Sequence, residues 1–188
     1  MTLRLDVAPT TEPVTLAEAK VQLRVDGTDD DDRITALIAA VREYVEVATG
    51  RALVTQTWTL VVDGFPGGGF EIPKPPLKSL TQITYVDVDG VTQTLSTDVY
   101  VVTQPTGPRA ASGRVDLAYA QAWPATKAEV GAVSVTFDAG YGAADAVPDG
   151  LKQAMLLLIR EWFDGTDNSG VSKAVESLMM GFRILKAY

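Results

Sequence analysis

The sequence predicts an α+β fold: a small helical bundle formed by both chain ends, with an inserted antiparallel β unit between the second and third helices. Three observations carry this. Apolar residues recur at helical spacing between Leu16 and Ala48, and again after Pro148. The intervening stretch changes to period two and is cut by Gly- and Pro-rich connectors. Neither helical pair has enough apolar partners alone, so the two pairs are expected to share one core. On this reading residues 1–53 and 148–188 form the bundle, and residues 54–147 form the β unit.

The first helix is announced by "PVTLAEAKVQLRV", where Thr15 and Glu18 have the spacing of a capping box. Leu16, Ala19, Leu23 and Val25 give it a short apolar stripe, and Asp26-Gly27 should end it. In "GTDDDDRITALIAAVREYVEVATGR" the stripe is longer: Ile34, Leu37, Ile38, Val41, Tyr44, Val45 and Ala48. Gly50 stands where a left-handed C′ residue is expected. Asp29, Asp30, Asp31 and Asp32 cap this helix and complement its N-terminal dipole. A Ca²⁺ loop would need alternating ligands, a central Gly and a distal Glu, so no metal site is assigned.

From Val54 the pattern is that of strands. "TQTWTLVVDGF" alternates, with Trp58, Leu60 and Val62 on one face. "LTQITYVDVDGVTQTLS" reads as a hairpin turning at Asp89-Gly90. "DVYVVT", "GRVDLAY" and "GAVSVTFDAGY" are further strands. The segment "GFPGGGF" lacks the Gly-Lys-Ser/Thr ending of a phosphate loop and leads into no helix, so it reads as a flexible connection.

Pro148 suits the start of the third helix. Leu151, Ala154, Met155, Leu158, Ile159, Trp162 and Phe163 give that helix a very wide apolar face, and six consecutive apolar residues, 154–159, make it apolar nearly all round, which marks it as the central one. After "GTDNSG" the last segment, 171–188, repeats a stripe of Val175, Leu178, Met179, Phe182 and Leu185. That stripe is either intramolecular core or a detachable helix that docks in a partner's groove. On the docking reading Val175, Leu178, Met179, Phe182, Leu185 and Tyr188 are the partner interface. Replacing Met179 or Phe182 by the charged Lys should then block docking and leave the monomer folded.

Composition excludes much chemistry. The 188 residues include no Cys and no His. Disulfides, thiolate zinc sites, His metal ligands and Ser-His-Asp or Cys-His catalysis are therefore absent. No apolar run approaches the length of a membrane span, and the N-terminus does not read as a signal peptide. Net charge is −8. Lys and Arg against Asp and Glu number 6 and 10 over residues 1–53, 5 and 9 over 54–147, and 5 and 5 over 148–188. Nothing here offers the basic patch that grips nucleic acid. Two other functions stay open on residue type. Glu71, Asp87, Asp89, Asp116 and Asp138 offer carboxylates for an acid/base hydrolase. Trp58, Tyr85, Tyr100, Tyr119, Trp123 and Tyr141 offer rings for a glycan-binding module with helical flanks.

Taken in order, the blocks "PVTLAEAKVQLRVD", "ITALIAAVREYVEVATGRALVTQTW", "IPKPPLKSLTQITYVDVDG", "VYVV", "AVSVTFDAGYG" and "LKQAMLLLIREWFD" resemble the head–tail connector, or adaptor, proteins of tailed bacteriophages and gene transfer agents. The resemblance covers nearly the whole chain. It implies a structural subunit, with no catalysis and no cofactor, at the virion head–tail junction, made in the bacterial cytoplasm during assembly. It implies a ring of about a dozen copies seated under the portal protein, which closes by heterologous contacts. The ring would extend the DNA channel and meet the stopper or tail proteins. Double-stranded DNA would pass without specific binding, in keeping with an acidic chain. The Gly-rich stretches 64–69 and 164–170 would order on docking.

Overall fold

The computed structural model describes residues 1–165 and 171–184. The chain divides into two compact units: Met1–Ala8 with Thr55–Gly140, and Pro9–Val54 with Tyr141–Tyr188.

The first unit is all β. A five-stranded sheet has the order β1-β2-β8-β4-β5, from β1 (Thr2–Val7), β2 (Gln56–Val62), β8 (Val133–Ala139), β4 (Leu77–Val86) and β5 (Thr92–Thr94). A three-stranded sheet has the order β3-β7-β6, from β3 (Phe70–Ile72), β7 (Gly113–Leu117) and β6 (Tyr100–Thr103). Every pairing is antiparallel. The period-two pattern decides the faces. In β8, Val133, Val135, Phe137 and Ala139 are buried, and Ser134, Thr136 and Asp138 between them are not. Phe137 lies opposite Trp58 on one side and Leu80 on the other, and Val135 lies opposite Leu60 and Ile83, which builds one apolar face. On the other face side chains bridge the strands. Thr59 donates to Asp6 of β1 and shares a hydrogen bond with Thr136 of β8. The Asp138 carboxylate accepts from Thr57 of β2 and Ser79 of β4.

The predicted hairpin is β4–β5, and its turn is organised by Asp87. One carboxylate oxygen accepts the backbone N–H groups of Asp89 (3.0 Å) and Val91 (2.9 Å), and the other accepts the Gln93 amide (2.9 Å). These bonds hold the carboxyl below its ordinary range, the Gln93 bond contributing most. Strand β1 has no counterpart in the sequence reading, which gave residues 1–53 to the helices.

"GFPGGGF" joins β2 to β3 and leads into a strand, as expected. Its glycines are not equivalent. Gly69 is left-handed, with φ +78°, and a Cβ there would lie 2.5 Å from the Val115 carbonyl and closer still to the Asp116 carboxylate. Gly67 and Gly68 have no atom within 4 Å of such a Cβ. Gly69→Ala should therefore cost about 2–4 kcal/mol, from the left-handed penalty and the clash. Gly67→Ala should stay within about 0.5 kcal/mol of wild type. Urea unfolding of both variants checks this, and equal costs would show that the loop tolerates any backbone there.

The second unit is helical: α1 (Leu16–Leu23), α2 (Asp31–Thr49), α3 (Asp149–Phe163) and α4 (Lys173–Met180). The capping box on α1 is present, with Glu18 N–H on the Thr15 hydroxyl (3.2 Å) and Thr15 N–H on the Glu18 carboxylate (2.7 Å). The helix ends earlier than expected, because Arg24 turns left-handed (φ 59°) and Val25 N–H closes on the Lys20 carbonyl. Gly50 is the left-handed residue that ends α2, as expected. The acids before α2 work differently from the expectation: Asp30 stands at the N-cap but makes no side-chain cap bond, and Asp31 pairs with Lys20 at 2.6 Å.

The helical core gathers Ile34, Ile38, Val41 and Val45 of α2, Leu151, Ala154, Met155, Leu158 and Ile159 of α3, and Val175 and Met179 of α4. Leu156 and Leu157 pack against it partly buried, so α3 has neighbours nearly all round. The last helix is shorter than predicted. It stops at Gly181, and residues 185–188 lie outside the described part, as do residues 166–170. Among the described residues no helix is long and apolar enough to cross a membrane.

Candidate assembly surfaces

The stripe proposed as a partner interface faces inward. The Ser172 hydroxyl accepts from Val175 N–H (3.4 Å) and starts α4 with Val175 and Met179 directed into the core, both 0% exposed. Leu178 and Phe182 pack against the same core partly buried. Phe182 lies on Gly150, where a Cβ would come within 3.2 Å of the ring. Leu185 and Tyr188 fall outside the described residues. Four of the six residues are thus brought together, but on the side of α4 that the bundle already covers.

What the helical unit leaves open is a different set. Tyr44 of α2 and Trp162 of α3 meet edge to face at 5.7 Å, and each keeps more than a third of its surface in solvent. Val47, one turn beyond Tyr44, is 77% exposed, and Met180 on the outer side of α4 is 71% exposed. Phe163, the residue after Trp162, lies under the Arg33 guanidinium, which stacks over its ring at 4.4 Å and donates to its carbonyl (2.8 Å). Exposed aromatics supported from behind by a rigid pair of helices are the usual anchors of protein interfaces. The sequence reading placed Tyr44 and Trp162 on apolar stripes and had no means of telling that they sit at the stripes' uncovered edges.

The β unit offers smaller apolar features. The Asp87-organised turn presents Val88 and Val91, and Tyr119 is fully exposed in a turn whose next residue, Ala120, is left-handed. The rings considered for glycans are mostly used internally. Trp123 stacks face to face on Phe65 at 4.8 Å and is approached by Phe70, while Tyr85 meets the edge of Phe65. Trp58 faces the Lys74 ammonium at 5.2 Å. Burial raises the Tyr100 hydroxyl above its ordinary range. Tyr141 belongs to the helical unit, where its hydroxyl accepts from Arg51. No flat platform of two open rings results. Three of the five carboxylates considered for hydrolysis have structural partners: Asp116 binds Arg114 (2.8 Å), Asp138 joins three strands, and Asp87 builds its turn. Among the described residues no group of three or more Asp or Glu is placed to hold a metal ion.

Comparison with known proteins agrees with the fold. The family model described as head completion protein matches residues 13–177. A chain in the neck of an empty gene transfer agent particle, computed with C6 symmetry, superposes with a TM-score of 0.84 at 22% identity, covering 100% of this chain and 98% of that one. A chain of the native gene transfer agent virion gives 0.83 at 22% identity with the same coverage. A chain in the native neck computed with C12 symmetry gives 0.82 at 21% identity, again covering 100% and 98%. At such identities the likeness is one of fold. No curated protein matches. With 165 consecutive residues under the family model, the chain belongs to the head completion protein family.

Proposed function

We propose that this protein is a head–tail connector subunit that forms a ring under the portal protein, extends the DNA channel, and joins the filled head to the stopper or tail. The observation that carries the reading is the family match over residues 13–177, on a fold shared along its whole length with neck chains of a gene transfer agent. Net charge supports it. A lining that lets duplex DNA slide should offer few cations to phosphate, and the chain is acidic at −8.

Subunits of a ring need two different complementary faces. The seam of Tyr44, Val47 and Trp162 supplies one without any unfolding. The α4 stripe supplies another only if α4 leaves the bundle, because Val175 and Met179 are buried. Exposing two such side chains costs about 1.5–3 kcal/mol each, which docking would have to return.

Native mass spectrometry of the protein mixed with the portal protein from the same genome tests the assignment. The expected species carries this chain and the portal subunit in equal or nearly equal numbers. Two unmixed species, with the portal ring intact, would overturn it.

A further inference from the structure

Three stretches of the helical unit converge on the C-terminal end of α2. The chain leaves that helix through residues 50–54 and returns at Tyr141, whose backbone N–H donates to the Leu53 carbonyl (2.9 Å). Leu53 N–H in turn donates to the Glu46 carboxylate (2.8 Å). After α4 the chain comes back to the same place, where Ile184 N–H donates to the Thr49 carbonyl (2.9 Å) and the Ile184 side chain covers Gly50. In the middle stands Arg51, 2% exposed. Its Nε donates to the Phe182 carbonyl (2.5 Å), and its guanidinium also holds the Tyr141 hydroxyl.

We propose that Arg51 is the pin of a latch: while residues 181–184 are seated, it holds the returning chain at Tyr141 against Leu53, and unseating that segment releases both. The physical reason is the guanidinium itself. It is planar and rigid, so the directions of its bonds to Phe182 and Tyr141 are fixed relative to each other. It is also buried, so a lost acceptor is not replaced by water without movement. Movement of the Phe182 carbonyl therefore disturbs the bond to the Tyr141 hydroxyl, and the reverse. Arg51 and Tyr141 flank the two points where the chain passes between its compact units, at 54/55 and 140/141. The last described residues are thus coupled to both passages. This does not depend on the connector assignment.

Hydrogen exchange of the full-length protein tests the coupling in both directions. Ile184→Pro removes the N–H that seats the segment on Thr49. The amides of Leu53 and Tyr141 should then exchange about fivefold faster or more, relative to the core amides of Val41 and Leu158. Tyr141→Phe removes only a hydroxyl. By reciprocity the Ile184 amide should accelerate by a similar factor. Acceleration of Leu53 and Tyr141 no greater than that of the core amides would overturn the latch. So would a Tyr141→Phe variant whose Ile184 amide exchanges as in wild type.

Discussion

Met179→Lys unfolds the helical unit, and Met180→Lys, one residue on, leaves it folded. Successive residues of a helix point about 100° apart, so neighbours in sequence can have opposite fates. Met179 has no exposed surface and packs with Val175 in the core shared by α2, α3 and α4; Met180 is 71% exposed. A lysine at 179 must stay charged in an apolar site or give up its proton. A depression of about three pKa units, typical of buried lysines, corresponds to about 4 kcal/mol. Lost packing adds to this, and a domain of this size has about 5–15 kcal/mol in all. A lysine at 180 meets water. Urea unfolding followed by circular dichroism should show the first variant largely unfolded at neutral pH and the second within about 0.5 kcal/mol of wild type. The pair also decides the role of α4. If Met179→Lys costs less than about 1 kcal/mol, α4 is not seated in the free protein, and its stripe is an open docking surface. If the cost is large, partner docking is better probed at Met180, Val47 and Trp162, where a failure to assemble is not a failure to fold.

The parts of this architecture that could be read from sequence are those whose signals are local and redundant. Helix α2 has a long apolar period and Gly50 at its end, and both agree with the structure, whereas the acids at its start make no side-chain cap bond. Strand β8 shows uninterrupted alternation because one face is wholly buried. Strand β1 carries a similar alternation in Leu3, Leu5 and Val7, but it is an edge strand, five of its six residues are exposed, and its place is set by pairing with β2, fifty or more residues away. The end of α4 misled for another reason. The spacing of Val175, Leu178, Met179, Phe182 and Leu185 suggests one long helix, yet the helix ends at Gly181 and Phe182 reaches the core from beyond it. A stripe reports that a face is apolar; whether the bundle or a partner covers it depends on neighbours that only the folded chain supplies. Tyr44 and Trp162 show the converse, since they sit on well-formed stripes and keep more than a third of their surface in solvent.

Arg42→Met should destabilise the helical unit by about 3–5 kcal/mol at neutral pH, the usual cost of removing one partner from a buried ion pair. Arg42 is 8% exposed and meets Glu12 at 2.9 Å and Glu46 at 3.1 Å. Glu46 is 6% exposed, and its other carboxylate oxygen accepts Leu53 N–H, so the pair also fixes the chain leaving α2. Methionine keeps most of the apolar stem and leaves two carboxylates facing each other without a cation. The pH dependence separates this electrostatic loss from a packing defect. Burial raises the Glu12 carboxyl above its ordinary 4.5, against the pull of Arg42. Between 4.5 and that raised value the folded chain holds a proton that the unfolded chain has released, so this group's contribution to stability falls as pH rises through the window. Without Arg42 the carboxyl is raised further and the window widens. The deficit of the variant should therefore be largest at pH 7 and shrink as the pH falls toward 4.5. Urea midpoints of wild type and Arg42→Met at several pH values measure it. A deficit of the same size at every pH would assign the loss to packing around the stem and remove the ion pair from the account of how this chain is held at the end of α2.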